Sequence, residues 1–382
     1  MSSPGERFLL PAGLSDGLPP DAGFEAAIVD RLMAAFAAWG YDRVKPPLIE
    51  FEDSLLSGPG EAMAADTFRL MDPVSQRMMG LRADITPQVG RIAASRLTNA
   101  PRPIRLSYAG QVLRVKGEQM RPERQIGQAG VELIGTTAAA ADAEVVLLGA
   151  EALTAVGVKD LVVDLNVPTL APAILRDAGI ADPNPLIGAL DRKDMTAVRG
   201  AADGLTPLLE ALIHAVGPAE AAIAALKALS LSGEAATQRA RLCEVVALIR
   251  AARPDLNLTI DPTDHRGFEY HTGVTFSLLG PGVRGDFGRG GRYVNQAGEA
   301  ATGFTLYLDT LQRALPAPEA APRVFVPDGT PPAEAQRLRG EGWVTIQGLE
   351  PTKDNAAEAR RLGCTRLWRD GQLVELGLAE LK

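Results

Sequence analysis

Two cysteines in 382 residues, Cys243 and Cys364, exclude a disulfide framework and a cysteine-built zinc site. Three histidines (His214, His265 and His271) leave little material for a histidine-rich metal centre. No run of about 18 apolar residues occurs, so no spanning helix is expected. Met1 to Gly5 is not a basic segment followed by an apolar stretch, so no secretory signal is expected and the cytoplasm is the default location. Basic residues are outnumbered, 39 against 47, which gives a net charge of −8 and no overall electrostatic footprint for nucleic acid. What is present suits a large folded chain. Hydrophobic residues make up 46% and charged residues 23%, enough for a sizeable core. The length suggests about two or three domains, and glycine with proline, about one residue in six, implies many turns.

Phe24, Ile28, Leu32 and Phe36 recur every four residues and predict an amphipathic helix, capped by Asp21 after Pro19-Pro20 and ended by Gly40. Val44 to Phe51 reads as a strand interrupted by Pro46-Pro47, hence an edge or a kink. A helix is expected from Pro87 to Leu97. A long antiparallel pair is expected over Ile104–Val115 and Ile126–Ile134, with Lys116 to Arg124 as its loop. Ala141–Val156 reads as a helix and Leu161–Val167 as a buried strand. The alanine-rich stretch 169–254, punctuated by Gly200, Gly204 and Gly217, reads as an inserted helical subdomain. Strands then resume at Leu256–Ile260, Phe268–Leu278 and Val283–Phe287, and Thr305–Leu315 returns to helix. The Ala/Pro stretch Leu315–Pro322 is the best linker. Beyond it lies a small βαβαβ pattern with nine basic and nine acidic residues over 323–382. The expected division is therefore 1–316 and 317–382.

Most polar motifs are weak singly. Gly288-Arg289-Gly290-Gly291-Arg292 lacks the strand-then-helix setting and spacing of a dinucleotide or Walker loop, and it reads as a glycine-rich bend between strands. No nucleophile elbow and no paired-histidine metal motif occurs, so no metal site is expected. The antiparallel pair says more. Gln128, Gly130 and Glu132 are spaced by two and share one sheet face. Polar groups on a central strand are costly to bury unless they meet a ligand or each other. Together with Arg114, Arg121 and Arg124 they form either an Arg–Glu structural network or the floor of a pocket for a small zwitterion, with the glycine making room. Asp84 and Thr86 are either acceptors for an ammonium group or a helix cap ahead of Pro87. Arg266 is either a bidentate carboxylate fork or a surface turn residue. His265 and His271 read as exposed or satisfied core side chains rather than catalysts.

In order along the chain, these pieces resemble a known family. Gly40-Tyr41 through Pro47-Leu48-Ile49-Glu50 is similar to motif 1 of class II aminoacyl-tRNA synthetases. Arg114 to Glu132 is similar to motif 2, and Gly303-Phe304 to Leu311 stands in the place of motif 3. Arg266-Gly267-Phe268-Glu269-Tyr270 and Gly290-Gly291-Arg292-Tyr293 resemble stretches of histidyl-tRNA synthetases. The likeness covers about residues 7 to 316. It departs at the nucleotide-binding positions. Lys116 stands where the family has glutamate and Ile126 where an aromatic stacks on adenine. Thr310 replaces a phosphate-gripping arginine, Tyr307 a small glycine, and Val294 an aspartate. Such losses disable ATP activation, whose transition state needs pre-placed charge. Asp84, Thr86, Gln128, Glu132, Arg266 and Tyr270 remain at or near the family's histidine-recognition positions.

A retained amino-acid site beside a degenerate nucleotide site resembles the regulatory subunits of ATP phosphoribosyltransferase. Leu81 to Arg91 is more similar to those subunits than to synthetases, which have glutamate where Asp84 stands. The resemblance implies an α+β fold: a class II synthetase-like antiparallel sheet flanked by helices, with a helical insertion and a small C-terminal α/β module. It implies no catalytic residue and no cofactor. It implies that Glu132 and Tyr270 read an imidazole, Asp84, Thr86 and Gln128 an ammonium group, and Arg266 with Arg114 a carboxylate. His271, where the family has tyrosine, departs from that pattern. The implied partners are a short-form catalytic subunit that makes phosphoribosyl-ATP, a second copy docked through the motif-1 region, and L-histidine as effector. No tRNA is expected, since the C-terminal module carries no net charge over 323–382 and anticodon binding would favour a basic face. An active histidyl-tRNA synthetase and a purely structural partner remain the alternatives.

Overall fold

The computed structural model describes residues 8–117, 121–201, 204–265, 270–317 and 321–377. The chain divides into two compact units, Met1–Pro316 and Ala317–Lys382. In the first, α1 (Asp21–Ala38), β1 (Asp42–Arg43), β2 (Ile49–Phe51), α2 (Glu52–Leu55), β3 (Arg69–Met71), β4 (Met78–Leu81) and α3 (Thr86–Ser95) precede the long pair β5 (Ile104–Leu113) and β6 (Gln125–Ile134). After α4 (Ala139–Val156) and β7 (Val162–Asn166) comes a helical block. It comprises α5 (Leu170–Asp177), α6 (Asn184–Asp191), α7 (Met195–Ala201), α8 (Thr206–His214), the two-residue β8 (Gly217–Pro218), α9 (Ala219–Ala228) and α10 (Gly233–Ala252). The unit closes with β9 (Asn257–Ile260), β10 (His271–Leu279), β11 (Gly288–Val294), β12 (Ala300–Tyr307) and α11 (Leu308–Ala314).

The main sheet has nine strands in the order β1-β5-β6-β12-β11-β10-β7-β9-β8, and β2-β4-β3 form a small sheet of their own. From β5 through β7 every neighbour is antiparallel, with parallel pairs at β1–β5 and β7–β9. Strand alternation sends odd-numbered β6 residues (Ala129, Val131, Leu133) into the larger core beneath α1 and α4. There the Phe304 ring meets Phe36 edge-on at 5.7 Å and Phe276 at 6.3 Å. Burial of each such ring contributes roughly 1.5–3 kcal/mol. The opposite face packs Ile85, Val89 and Ala93 of the α3 segment against Tyr108, Val112, Ile126 and Tyr293. Arg292, one residue from Tyr293, points to the helix side. Its Nε bonds Asp142 at 2.8 Å, and Arg241 of α10 joins the same buried carboxylate at 3.0 Å, which ties the helical block to the sheet.

The structure corrects five element assignments. Asp21 is the first helical residue, with Pro20 as N-cap and no side-chain cap bond. Of the expected Val44–Phe51 strand only Ile49–Phe51 forms, and a separate two-residue strand, Asp42–Arg43, precedes it. The carbonyls of Pro46 and Pro47 instead accept from Arg82 at 3.1 Å and Gln88 at 2.8 Å. The glycine run is strand, while Val283–Phe287, expected as strand, is not. A Cβ at Gly290 would sit 2.1 Å from the Gly303 carbonyl oxygen, so glycine there permits close approach of β12. Finally, Thr305–Tyr307 continues β12, and the helix begins only at Leu308.

The second unit contains β13 (Arg323–Val326), α12 (Pro332–Gly340), β14 (Val344–Gln347), α13 (Asn355–Arg361), β15 (Arg366–Arg369) and β16 (Gln372–Glu375). The sheet order is β14-β13-β15-β16, parallel except for the last pair. Asp354 caps α13 by accepting from the backbone N–H groups of Ala356 and Ala357, each at 3.0 Å.

Candidate ligand-binding site

The α3 face of the main sheet holds a cavity of about 160 Å³, lined by Asp84, Thr86, Arg114, Arg121, Tyr270, His271, Arg289, Thr305 and Tyr307 with Pro59, Ala62, Met63 and Pro87. Its acidic end is built where the chain turns from β4 into α3. Asp84 accepts from the Thr86 N–H through Oδ1 at 2.8 Å and from Gln128 Nε2 through Oδ2 at 2.8 Å. Gln128 Oε1 in turn accepts from the Ile85 N–H at 3.2 Å, so one central-strand amide fixes the whole turn. Asp84 therefore serves both as a local turn acceptor and as cavity wall.

Glu132 lies four residues further along β6, opposite Gly303, where a Cβ would come 2.2 Å from its Oε2. Tyr293 donates to that oxygen at 2.8 Å, and the Thr86 hydroxyl also bonds the carboxylate. Burial pushes the Glu132 carboxyl up to about 8, only partly offset by those hydrogen bonds. Across from Gly130, Tyr108 lies over the gap that the glycine leaves. Its hydroxyl is 3.1 Å from that of Thr86 and 2.8 Å from that of Thr305. The glycine thus makes room for a tyrosine and not for the cavity itself.

The other end is basic. The Arg121 guanidinium carbon sits over the Tyr307 ring, 3.7 Å from its centroid. It pairs with Asp286 at 3.2 Å and Asp309 at 3.5 Å. Arg289 shares Asp286 at 2.6 Å, and Arg114 completes this wall. Thr310, fully buried, meets Arg121 at 3.5 Å. The lining thus combines a carboxylate, Asp84, with the guanidiniums of Arg114, Arg121 and Arg289, a mixture of charges complementary to a zwitterion.

Of the residues singled out in the sequence, Asp84, Thr86, Arg114 and Tyr270 line the cavity. Gln128 and Glu132 stand behind the wall, buried, and act on it through Asp84 and Thr86. Arg266 lies outside the described residues. Sequence reading missed Arg289, hidden in the supposed bend, and Tyr108, Tyr293 and Asp286. The spacing of two in Gly291–Tyr293 and its match to Gln128–Glu132 could have signalled a shared face. Nothing local marks Asp286. Among the described residues no group of three or more His, Cys, Asp and Glu is placed to hold a metal ion, and no helix is long and apolar enough to cross a membrane.

A family model described as histidyl-tRNA synthetase matches residues 13–311. The chain is 57% identical over 371 residues to the ATP phosphoribosyltransferase regulatory subunit of Rhodospirillum centenum, covering 96% of each chain. It is 56% identical to that of Paramagnetospirillum magneticum, covering 98% of this chain and all of the relative. In structure it resembles an ATP phosphoribosyltransferase regulatory subunit/histidyl-tRNA synthetase from Bacillus halodurans, with a TM-score of 0.81 at 24% identity over 94% of this chain and 97% of that one.

Proposed function

The chain belongs to the family of ATP phosphoribosyltransferase regulatory subunits, which share the histidyl-tRNA synthetase fold, and from that premise we propose that it senses L-histidine for feedback control of histidine biosynthesis. In this reading it is non-catalytic, needs no cofactor, binds no tRNA and works in the cytoplasm. It assembles with a short-form catalytic subunit and, through its motif-1 region, with a second copy of itself. Residues 1–316, with the helical insertion at about 169–254, form the histidine-binding domain, and 317–382 a separate module.

The observation that carries the reading is the small cavity whose lining holds both a carboxylate and guanidiniums. Asp84 and Thr86 take the ammonium group, with Gln128 holding them in place. Tyr270 and Glu132 read the imidazole, Glu132 from behind Thr86. Arg114 with Arg266 takes the carboxylate. Buried polar groups left unpaired by a wrong ligand penalise it strongly, which gives selectivity for histidine over apolar amino acids. Regulation requires that histidine bind the low-activity arrangement of the complex more tightly. A difference of ~1–3 kcal/mol shifts activity about 5–150-fold, and equal binding to both arrangements shifts nothing.

Calorimetry with L-histidine on the wild-type chain and on Glu132→Ala tests this. Binding to wild type, weakened about 100-fold in the variant, supports the reading. No heat with wild type ends it. Equal affinity in the two leaves histidine sensing intact and removes Glu132 from the pocket. Histidine-dependent ATP–pyrophosphate exchange by the chain alone would establish a synthetase instead.

A further inference from the structure

Tyr270 and His271 join the cavity wall with little help from the sheet. β10 pairs with β7 only from Thr275 onward. Against β11 it pairs at His271 and again at Thr275, and between them three residues of β10 face a single residue of β11. The start of β10 is therefore loosely laddered, and its placement depends on where the chain was last held, at residues 261–265.

That segment is gripped from two directions. From the sheet, Asn166 at the end of β7 donates to the Asp264 carbonyl, and the His265 ring nitrogen Nδ1 lies 3.3 Å from the Pro168 carbonyl oxygen. From the helical block, Asp191 at the end of α6 accepts from the His265 N–H at 3.3 Å. Lys193, in the turn that follows, pairs with Asp261 Oδ2 at 2.7 Å. The other oxygen of Asp261 accepts from the Thr263 N–H at 3.0 Å and its hydroxyl at 2.8 Å, which folds the segment onto the same carboxylate. Lys193 has φ +57°. Lysine seldom adopts that left-handed conformation, which persists where the surroundings over-determine it.

We propose that Asp191 and Lys193 are positioning residues for the ligand cavity: from the helical block they tie down residues 261–265 and so set where Tyr270 and His271 enter the cavity wall. Charge makes Lys193 the sensitive point. Burial raises the pKa of the Asp164 carboxyl, Asp261 and Asp264 push it further, and Lys193 opposes them. Without the ammonium, like charges drive the segment away from its anchor. The lysine side chain is 34% exposed, and pairs of that kind contribute little to global stability. Loss of the tie is therefore felt in the cavity before it is felt in unfolding.

The proposal rests on the histidine-sensing reading and deepens it. The helical block supplies none of the cavity's lining residues, yet it takes part in effector affinity. By linkage, whatever shifts the block shifts histidine binding, and histidine acts back on the block by the same factor.

The test is histidine calorimetry on the full chain, with hydrogen exchange at residues 270–274, for Lys193→Met, Asp261→Asn, the double variant and Lys193→Arg. Each of the first two should weaken histidine at least about fivefold. The double variant should be no weaker than the weaker single one, because both cut the same tie, and Lys193→Arg should stay within about twofold of wild type. Exchange at 270–274 should quicken about tenfold in Lys193→Met while that at 276–278 stays as in wild type. The proposal is overturned if Lys193→Met binds histidine within about twofold of wild type, if the two single effects add, or if exchange at 270–274 does not respond. If Lys193→Met does not fold, Asp261→Asn decides, since its remaining Oδ1 still accepts from Thr263. A wild type that binds no histidine ends the sensing reading, and exchange in the variants then decides the tie on its own.

Discussion

The two faces of the nine-stranded sheet are made by the same strands and differ in almost every chemical respect. Under α1 and α4, β6 and β12 present Ala129, Val131, Leu133, Phe304 and Leu306 to a continuous apolar core. One residue out of step, the same strands present Gln128, Glu132, Gly303, Thr305 and Tyr307 toward the cavity. The period-two geometry of a strand lets one short sequence carry an apolar core on one side and the proposed recognition site on the other. The two jobs are therefore separable by mutation, residue by adjacent residue.

The largest effect should come from the apolar face. Phe304→Ala removes a ring packed against Phe36 and Phe276 and should destabilise the first unit by about 3–5 kcal/mol in denaturant unfolding. Histidine affinity of the molecules that remain folded should change little. A large loss of affinity at matched folded fraction would break the separation.

On the polar face, pH sharpens the contrast through Glu132. A carboxyl raised from the usual 4.5 to about 8 binds its proton more tightly when folded. Its contribution to stability is complete below about pH 4.5 and is lost as pH rises to 8, because over that window the folded state holds the extra proton. Wild type should therefore lose stability relative to Glu132→Gln between pH 5 and 8, at up to about 1.4 kcal/mol per pH unit. Parallel pH–stability curves for the two proteins would refute the buried neutral carboxyl.

A smaller effect is expected at Tyr293. Tyr293→Phe deletes the 2.8 Å donor to Glu132 and keeps the ring, so histidine affinity should fall about tenfold with stability changed by about 1 kcal/mol. Smallest is Asp354→Ala in the second unit, which removes the α13 cap. Stability of that unit should drop by about 1 kcal/mol, and histidine binding should not respond. A histidine effect from Asp354→Ala would show that the units are coupled.

Much of this was legible in the residues. Helix α1 and the pair β5–β6 follow from their periodicities, because each buries one stripe and exposes another. Gln128 and Glu132 announced themselves as polar groups on a central strand. The failures have a common cause. Gly288–Gly291 reads as a bend because glycine disfavours strands on its own, yet Gly288 and Gly290 answer crowding from β12 and Gly291 from Thr275 of β10, both outside any local window. Thr305–Tyr307 reads as helix because α11 follows without a break, and only pairing with β6 and β11 keeps those residues extended.

The order of motifs, the alternation on β6 and the substitutions Lys116, Ile126, Tyr307 and Thr310 were set by the sequence alone, and with them the fold and the family. Periodicity and residue type are local properties, and a sheet with one apolar face needs little more to be recognised. The tertiary structure alone decided that Tyr108 fills the gap over Gly130, that Glu132 backs the cavity instead of lining it, and that Arg121 is held by Asp286, 165 residues away. Those outcomes depend on strand register and on which side chains reach a shared volume first. Packing between distant segments sets both, and no stretch of the chain contains it.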